Sequence, residues 1–110
     1  MTTTLTHFAS GKITDSLAAI YTAPSAAGTV VSDIGKVVFT NTGTTKQEVS
    51  VYRDDGTQRL VETFTIAGGV GKSYTVNTLI GAKLNEGDSI LAVTETNEQV
   101  NYQIDGRTAS

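Results

Sequence analysis

The sequence predicts an all-β protein, a single-domain β-sandwich of jelly-roll type with seven to nine short antiparallel strands. Nineteen of its 110 residues are threonine, a β-branched residue that favours pleated, half-buried strands. Short apolar stretches alternate with polar residues, and turn residues separate them at intervals of roughly 8–12 positions, which is typical of a sandwich or barrel. A chain of this length buries enough apolar surface to fold as one domain without covalent cross-links.

The stretch from Leu84 to Thr94 is the most informative part of the chain. Its Gly87-Asp88 pair predicts a turn, and the residues that follow, 89–94, predict a strand. One face of this strand carries Ile90, Ala92 and Thr94, and the other carries Leu91 and Val93. Because both faces are largely apolar, we expect the strand in the middle of a sheet that is covered on both sides, by a second sheet or by a neighbouring subunit.

The first ten residues differ from the rest of the chain. Residues 1–10 are rich in threonine and predict an extended arm, which either begins a strand or reaches a neighbour, and residues 11–110 are assigned to the sandwich domain. Leu5 and Phe8 are the only large apolar side chains of the arm, and with His7 they are the candidate assembly contacts. We expect contacts outside its own domain to order the arm, so deleting residues 2–9 is expected to leave the domain folded.

Two strands are predicted in the first half of the domain. Residues 16–22 predict a strand that ends before the loop at Pro24. Residues 29–40 are long enough for two strand lengths, and Gly35 predicts a bulge or bend within them.

A hairpin is the clearest local prediction in the centre of the chain. Residues 47–53 alternate between apolar and polar side chains, which predicts a half-buried strand. The pair Asp55-Gly56 favours a tight turn into a second strand that contains Leu60, Val61, Phe64 and Ile66.

The last part of the chain predicts three more short elements besides the strand at 89–94. A strand is predicted over residues 73–78, an apolar segment over 79–84, and a final strand over 100–105, where Val100, Tyr102 and Ile104 alternate with polar residues. A frayed tail is predicted for residues 106–110.

Charge and cysteine content exclude several classes of function. The net charge is −3 and the eight lysines and arginines are spread along the chain, so we expect no nucleic acid as a partner. No run approaches the ~18 apolar residues of a membrane span, and the N-terminus has no signal-peptide pattern. We therefore expect a soluble protein with no membrane partner. The absence of cysteine removes disulfides, thiolate nucleophiles and cysteine-based metal sites.

A glycine-rich loop, Gly68 to Ser73, has the Gly-Lys-Ser ending of a phosphate-binding loop. The first glycine of that motif would fall on Ile66, and the residues after Lys72 predict a strand instead of the helix whose N-terminus would hold the phosphate. The loop therefore predicts a flexible connection between strands, and no nucleotide or other cofactor is expected.

The ionisable residues form no catalytic or metal-binding pattern. Asp54 and Asp55 are explained by the hairpin tip, because the alternating oxygen ligands of a calcium loop are absent. His7 is the single histidine and has no nearby partner in sequence for a catalytic triad. We therefore expect no catalytic residue and no metal site, and hence no enzyme.

The four tyrosines leave a second possibility open. Tyr21, Tyr52, Tyr74 and Tyr102 could line a face that binds carbohydrate or peptide. Packing in the core or at a subunit interface is the other use of such residues. Grouping of the rings on one exposed face would favour carbohydrate binding, and burial of the rings at subunit contacts would favour assembly.

Four segments, in this order, carry a resemblance to a known family: Ile20-Tyr21-Thr22-Ala23-Pro24 with the small-residue loop after it, residues 37–42, the hairpin at 51–56, and Leu84-x-x-Gly87-Asp88-Ser89-Ile90. Over roughly residues 16–105 the chain resembles small β-sandwich virion proteins of tailed bacteriophages. The resemblance implies a structural protein, most simply a head decoration (cement) protein that binds the major capsid protein or other virion proteins. A neck, tail or fibre component is the alternative.

The same resemblance sets the expected assembly and location. Exposed sheet edges and apolar strand faces favour a homo-oligomer, and the resemblance to decoration proteins makes a trimer the preferred one. The expected location is the virion, after assembly in the host cytoplasm.

Overall fold

A computed structural model describes residues 6–23, 31–69, 72–85, 87–96 and 98–109. These residues form nine β-strands, which pair antiparallel throughout. In chain order they are β1 (Thr6–Lys12), β2 (Ala18–Thr22), β3 (Val31–Asn41), β4 (Gln47–Asp54), β5 (Gln58–Ile66), β6 (Lys72–Thr75), β7 (Lys83–Leu84), β8 (Ser89–Thr94) and β9 (Val100–Ala109), with one 3₁₀ turn at Asn77–Leu79 between β6 and β7.

The strands are arranged in two packed sheets. The five-stranded sheet has the order β1-β9-β3-β6, with β7 also paired to β3, and the four-stranded sheet has the order β2-β8-β4-β5. Apart from the hairpin β4-β5 and the β6-β7 connection, consecutive strands lie in opposite sheets. With the short β7 set aside, this order is that of two Greek keys folded into a jelly roll. The predicted all-β, antiparallel, jelly-roll-like sandwich is confirmed.

The core lies between the two sheets. Its largest fully buried side chains come from both of them: Phe39, Val37 and Ile104 from the five-stranded sheet, and Val49, Val51 and Ile90 from the four-stranded sheet. Strand β8 lies between β2 and β4, in the middle of its sheet, as predicted. One face of β8 is buried in the core, whereas Leu91 and Val93 on the other face are only half-buried.

Aromatic stacks close both open sides of the sandwich. On one side, Phe8 of β1 stacks on Tyr21 of β2, with ring centroids 5.0 Å apart and planes 8° apart. On the other side, Phe64 of β5 stacks on Tyr74 of β6 at 4.1 Å and 11°. Each stack joins one strand of each sheet, so these rings add direct contact between the two layers beyond the area they bury.

A buried polar network holds the end of the sandwich where β3 turns into β4. The side chain of Asn41 is 0% exposed. Its amide nitrogen donates to the carbonyl oxygens of Thr45 (2.8 Å), Ile66 (3.3 Å) and Ala67 (3.2 Å). Its oxygen accepts from the Gly43 amide and from Gln99 Nε2, both at 3.0 Å. One side chain therefore ties three loops together.

The predicted local features near Gly35 and Gly56 are confirmed. The register between β3 and β9 shifts between Ile34 and Lys36, which places the predicted bulge at Gly35. Strands β4 and β5 form the predicted hairpin, and Gly56 at its tip has a φ of 105°, a conformation that glycine adopts without strain. Asp54 pairs with Gln58 across the hairpin, so the loop has three residues where the Asp-Gly pair favoured two.

The segment predicted to hold two strand lengths, 29–40, is one long strand over its described part, because the bulge at Gly35 lets β3 bend and continue pairing with β9. One boundary prediction is wrong. The predicted tail at 106–110 is ordered strand as far as Ala109. Gly106 explains this continuation, since an added Cβ there would lie 2.5 Å from the Phe8 ring and 2.4 Å from the Asp33 carbonyl oxygen.

The segment assigned to the N-terminal arm is extended and, from Thr6 onward, forms part of a sheet in its own chain. Strand β1 runs continuously through the expected arm boundary at residue 10 and pairs with β9 from Thr6↔Gly106 to Lys12↔Asn101. Residues 1–5 lie outside the described residues, so the division of the chain into an arm and a domain stays a prediction for that part.

Candidate functional site

The outer face of the four-stranded sheet carries a row of apolar side chains. The strand registers place Leu60 of β5 opposite Tyr52 of β4, Tyr52 opposite Leu91 of β8, and Leu91 opposite Ala19 of β2. Val93 lies two residues further along β8 on the same face. We call Leu60, Tyr52, Leu91, Val93 and Ala19 the apolar band. Leu60 is 57% exposed, so the band faces solvent in the single chain.

Carboxylates flank the apolar band at both ends. Glu48 and Glu95 lie at one end, where the Glu48 amide donates to Glu95 Oε1 at 2.8 Å, and Asp54 lies at the other. Glu48 and Asp54 are six residues apart on β4, which corresponds to ~20 Å along a strand. Among the described strand residues whose side chains lie on this face, none is lysine or arginine.

Two cations, Lys46 and Arg59, lie near the ends of this face. Lys46 is an exposed residue directly before β4. Arg59 pairs with Asp55 at the hairpin tip, with 3.6 Å between Nη1 and Oδ2. The outer face of the four-stranded sheet is therefore apolar in its centre and acidic at its ends.

The outer face of the five-stranded sheet, on the opposite side of the sandwich, is polar and more basic. Its charged side chains are Lys12, Lys36, Lys83 and Arg107 against Asp33 and Asp105. Lys83 Nζ lies 3.5 Å from Asp33 Oδ2. Lys12 pairs with Asn101 of β9, six residues before Arg107, so these two cations are also separated by ~20 Å along the strand direction.

A groove of about 470 Å³ lies on this basic face across β1, β9 and β3. Side chains that line it include Ser10, Lys12, Val38, Thr40, Asn101 and Gln103. The Asn101 Oδ1 atom is buried without a hydrogen-bond partner. The groove thus combines an apolar side chain, Val38, with several polar ones.

The three predicted assembly contacts lie away from the apolar band. Leu5 is outside the described residues. His7 is exposed on the basic face, and its Nδ1 lies 3.3 Å from Asp105 Oδ1. Phe8 packs against the core and stacks on Tyr21 within its own chain. The structure does not bring these residues together with the apolar band, and their contact with a neighbouring molecule stays a prediction.

The apolar band itself was only partly visible in the sequence. The two-faced apolar pattern of residues 89–94 indicated that Leu91 and Val93 need a cover. Leu60 and Tyr52 join them only through the cross-strand register, which shifts at a bulge between Val51 and Tyr52. A one-residue shift moves a side chain to the other face, so the row could not be assigned without that bulge.

The acidic hairpin tip has the geometry that the sequence predicted. The Gly56 amide donates to Asp54 Oδ1 at 2.9 Å, which is the local hydrogen bond of an Asx turn. Within the described ranges, no group of three or more His, Cys, Asp or Glu residues is placed to hold a metal ion. No helix within the described part of the chain is long and apolar enough to span a membrane.

The glycine-rich loop is followed by strand β6, as predicted, and its residues 70 and 71 lie outside the described residues. Gly68 packs closely on the preceding loop, because an added Cβ would lie 2.2 Å from the Thr44 carbonyl oxygen. This close approach of two backbones accounts for a glycine at position 68.

The tyrosines do not share one exposed face. Tyr21, Tyr74 and Tyr102 pack against the core cluster, and of these Tyr102 also lines the groove. Tyr52 lies in the apolar band. This distribution favours core packing for three of the tyrosines over a shared carbohydrate-binding face.

Tyr74 has the one clear electrostatic perturbation among the described residues. Its hydroxyl donates a short hydrogen bond to Glu62, and Thr78 Oγ1 donates to the other carboxylate oxygen at 3.1 Å. The hydrogen bond to Glu62, followed by desolvation and the negative charge of Glu62, raises the pKa of Tyr74 above its ordinary value of 10.0. The pair joins β5 to β6 across the sandwich and has a structural role.

Comparisons with known proteins identify no family for this chain. No family model matches the chain, and no curated protein matches it. Among solved structures it is similar to a chain in the structure of infectious bursal disease virus Gt strain, at 16% sequence identity and a TM-score of 0.38. The match covers 96% of this chain and 32% of the virus chain, so this chain spans about a third of that neighbour's length. A likeness at this level carries no argument about function.

Proposed function

We propose that this chain is a non-enzymatic structural protein of a virus particle, a decoration or cement protein that binds and stabilises a phage head. The observation that carries the proposal is the solvent-facing apolar band on a jelly-roll sandwich. Jelly rolls occur in viral capsid domains, and also in lectins and cupins. Because one fold serves many functions, the proposal rests on the exposed surface and on the sequence resemblance to phage virion proteins.

A single exposed leucine is ordinary in a soluble protein, but a row that crosses adjoining strands is not. In the apolar band, Leu60, Tyr52, Leu91 and Ala19 lie side by side across all four strands of the sheet. A contiguous apolar surface with a polar rim is typical of a protein interaction site. We propose that the band is covered in the virion, by the major capsid protein, another virion protein or a further copy of this chain.

The proposed assembly is a homo-oligomer, with a trimer preferred on the resemblance to decoration proteins. Strands β1, β2, β5 and β6 end the two sheets in the described structure, and unpaired edges favour association unless they are protected. The proposed location is the virion, assembled in the host cytoplasm. Sedimentation velocity of the purified chain gives the oligomeric state, and a monomer at particle-like concentrations contradicts a preformed trimer.

The variant Leu60→Glu tests the proposed role of the apolar band in particles. The particles are those of the virus that encodes this chain, grown in its host with the variant in place of the natural protein. We expect occupancy per particle to fall about tenfold or more, because a carboxylate in the interface costs its desolvation energy. Ile80→Glu is the matched control, since Ile80 is also an exposed apolar residue, 48% exposed, outside the band.

The result can contradict the proposal in two separate ways. Absence of the natural protein from purified particles refutes the virion role. Normal occupancy of the Leu60→Glu variant refutes the band as the assembly surface. Density for the protein in electron microscopy of the particles distinguishes a head position from a neck, tail or fibre position.

A second candidate function is a tail or fibre module that binds host carbohydrate, and the polar groove on the five-stranded sheet favours it. The groove volume lies within the range of small-molecule sites, and side chains such as Ser10, Thr40 and Gln103 supply donors and acceptors for hydroxyl groups. Titration with host-surface oligosaccharides, followed by NMR shifts of groove residues, tests this function. Shifts absent at millimolar sugar contradict it.

A further inference from the structure

We infer that the apolar band is covered by a second copy of this chain, docked head to tail. The acidic-ended outer face of the four-stranded sheet of one copy lies on the basic outer face of the five-stranded sheet of the next. This inference rests on the proposed assembly role of the apolar band and names its partner.

The charges of the two faces are complementary in sign and in spacing. On the four-stranded sheet, Glu48 and Asp54 are six residues apart on β4. On the five-stranded sheet, Lys12 lies beside Asn101 and is separated by six residues of β9 from Arg107. When the first face is placed on the second, each carboxylate end of β4 lies near a cation. Such complementarity favours one docking arrangement over others.

The orientation of this docking follows from the sandwich itself. Glu48 lies at the end of the sandwich where β3 turns into β4, and Lys12 lies near the same end, beside Asn101, which pairs with Thr40 of β3. Asp54 and Arg107 both lie at the other end. Because β1 packs on β2 and β5 packs on β6, β4 lies over β3, two strand positions from β1. A copy moved along the stacking direction without rotation and displaced sideways by two strand spacings, about 10 Å, sets Glu48 over Lys12 and Asp54 beside Arg107, and it brings Leu60 over the groove.

The shapes of the two faces are also compatible. Leu60 is the most exposed large apolar side chain in the described structure, and it lies at one end of the apolar band, on the edge strand β5. The groove on the opposite face contains Val38 and the aliphatic stem of Lys12. A lysine stem can cover apolar surface while its ammonium group stays in water. An apolar side chain seated in such a groove keeps the charged ends free to pair.

Docking of two identical faces is disfavoured by the same charges. If the outer faces of two four-stranded sheets met, both ends of the interface would bring carboxylates together, whichever way the second copy was turned. Like charges opposed across an interface suppress that pairing. Of the two outer faces of the sandwich, only the basic one complements the apolar band.

The symmetry of the contact predicts the form of the assembly. The two faces lie on opposite sides of one sandwich, so the contact is heterologous and repetition produces an open stack instead of a closed ring. The edges β1, β2, β5 and β6 stay free in such a stack, so a trimer formed through edges is compatible with it.

Reciprocal charge reversal tests the inference in solution. The variants are Lys12→Glu and Glu48→Lys, two exposed residues whose side chains are clear of the core. We expect the natural chain to associate with concentration in sedimentation velocity, less so in high salt because exposed charges are screened. Each single variant is expected to associate about tenfold more weakly. The double variant, with the pair reversed, and an equimolar mixture of the two single variants are both expected to recover association.

Each outcome has a defined meaning. A natural chain that stays monomeric at millimolar concentration overturns the inference. So does a Lys12→Glu variant that associates normally, or a mixture that does not recover. A face-to-face contact of four-stranded sheets is identified by insensitivity to Lys12→Glu together with association between Glu48→Lys and the natural chain. Normal far-UV circular dichroism of each variant excludes misfolding as the cause of a loss.

The particle experiment keeps this inference separate from the proposed function. If stacking in solution is absent but Leu60→Glu still lowers occupancy in virions, the head-to-tail contact is wrong and the assembly role of the apolar band stands. If the protein is absent from virions but stacks in solution with the expected charge dependence, the virion role is wrong and the contact is right.

Discussion

Replacement of Asn41 by leucine tests the buried network that joins the loops at one end of the sandwich. Leucine has the same branched side-chain skeleton as asparagine, so the change removes the polar atoms and keeps the branching, although the two methyl groups are bulkier than the amide oxygen and nitrogen. The change removes the contacts of the two Nδ2 hydrogens, which are shared among the Thr45, Ile66 and Ala67 carbonyl oxygens. It also removes the two hydrogen bonds that Oδ1 accepts, from the Gly43 amide and from Gln99.

The expected loss of stability follows from the burial of these groups. Leaving a buried polar group without its partner costs about 1–3 kcal/mol, and the contact to the Ile66 carbonyl is fully buried. The other partners are part-buried and recover some hydrogen bonding with water. We therefore expect the free energy of unfolding to fall by about 3 kcal/mol, a large part of the ~5–15 kcal/mol typical of a domain.

Thermal unfolding measures this loss. An unfolding entropy of ~2.1 cal/mol/K per residue converts ~3 kcal/mol into a fall in Tm of about 13 °C for a chain of 110 residues. The control is Asn77→Ala, an exposed asparagine, for which we expect a change within about 2 °C. If Asn41→Leu melts within 2 °C of the natural protein, the network contributes no stability and the reasoning fails.

Three further predictions concern the side of the sandwich, the N-terminus and ligands. Because its pKa is raised, Tyr74 is expected to ionise above pH 10.0. The hydrogen bond of the neutral hydroxyl to Glu62 contributes its full stability below pH 10, and this contribution is lost as the pH rises through the folded pKa. An NMR titration of the Tyr74 ring carbon measures this pKa, which we expect Glu62→Gln to lower. Deletion of residues 2–5 is expected to leave Tm within a few degrees, whereas deletion of 2–9 removes four of the seven residues of β1 and is expected to lower Tm strongly. Equal melting of the two variants contradicts the structural role of β1. Chelator, calcium or ATP is expected to leave Tm unchanged, and a rise of more than a few degrees with any of them demonstrates binding to the native state.

The deletion prediction differs from the expectation based on sequence for a physical reason. Threonine-rich residues with sparse large apolar side chains predict a separate arm, because such a segment cannot form a core of its own. The structure supplies what the segment lacks: β9 offers the pairing edge, and the absence of a side chain at Gly106 opens the space that Phe8 fills. Position 106 is about a hundred residues away from Phe8, so no local pattern connects the two.

Local pattern predicted the elements well wherever a turn and an alternating strand were adjacent. Strand β8 begins and ends where the sequence placed it, after Gly87-Asp88, and the hairpin at Gly56 and the bulge at Gly35 were also predicted. These features depend on backbone conformation and on the faces of one strand, both of which the local sequence encodes.

The predictions failed or stayed incomplete where a residue's role depends on distant partners. Asn41 is one example, because asparagine followed by threonine and glycine favours an ordinary turn. In the structure its side chain reaches Ile66 and Ala67, twenty-five and twenty-six residues away. The apolar band is a similar case, since Leu60 and Leu91 are brought together only by the order β8-β4-β5.

The candidate site therefore follows from topology more than from motif. A jelly roll places successive strands in opposite sheets, so residues with surplus apolar or charged character collect on two outer faces that are distant in space. Lys12 and Arg107 lie on one face although they are far apart in sequence. Glu48 and Asp54 lie on the other face although they form no recognisable motif. A protein of this kind can bind a partner through a whole sheet face without any catalytic or ligand-binding motif. Its function is then better tested by changing charge and apolar area on each face than by changing single polar residues in a pocket.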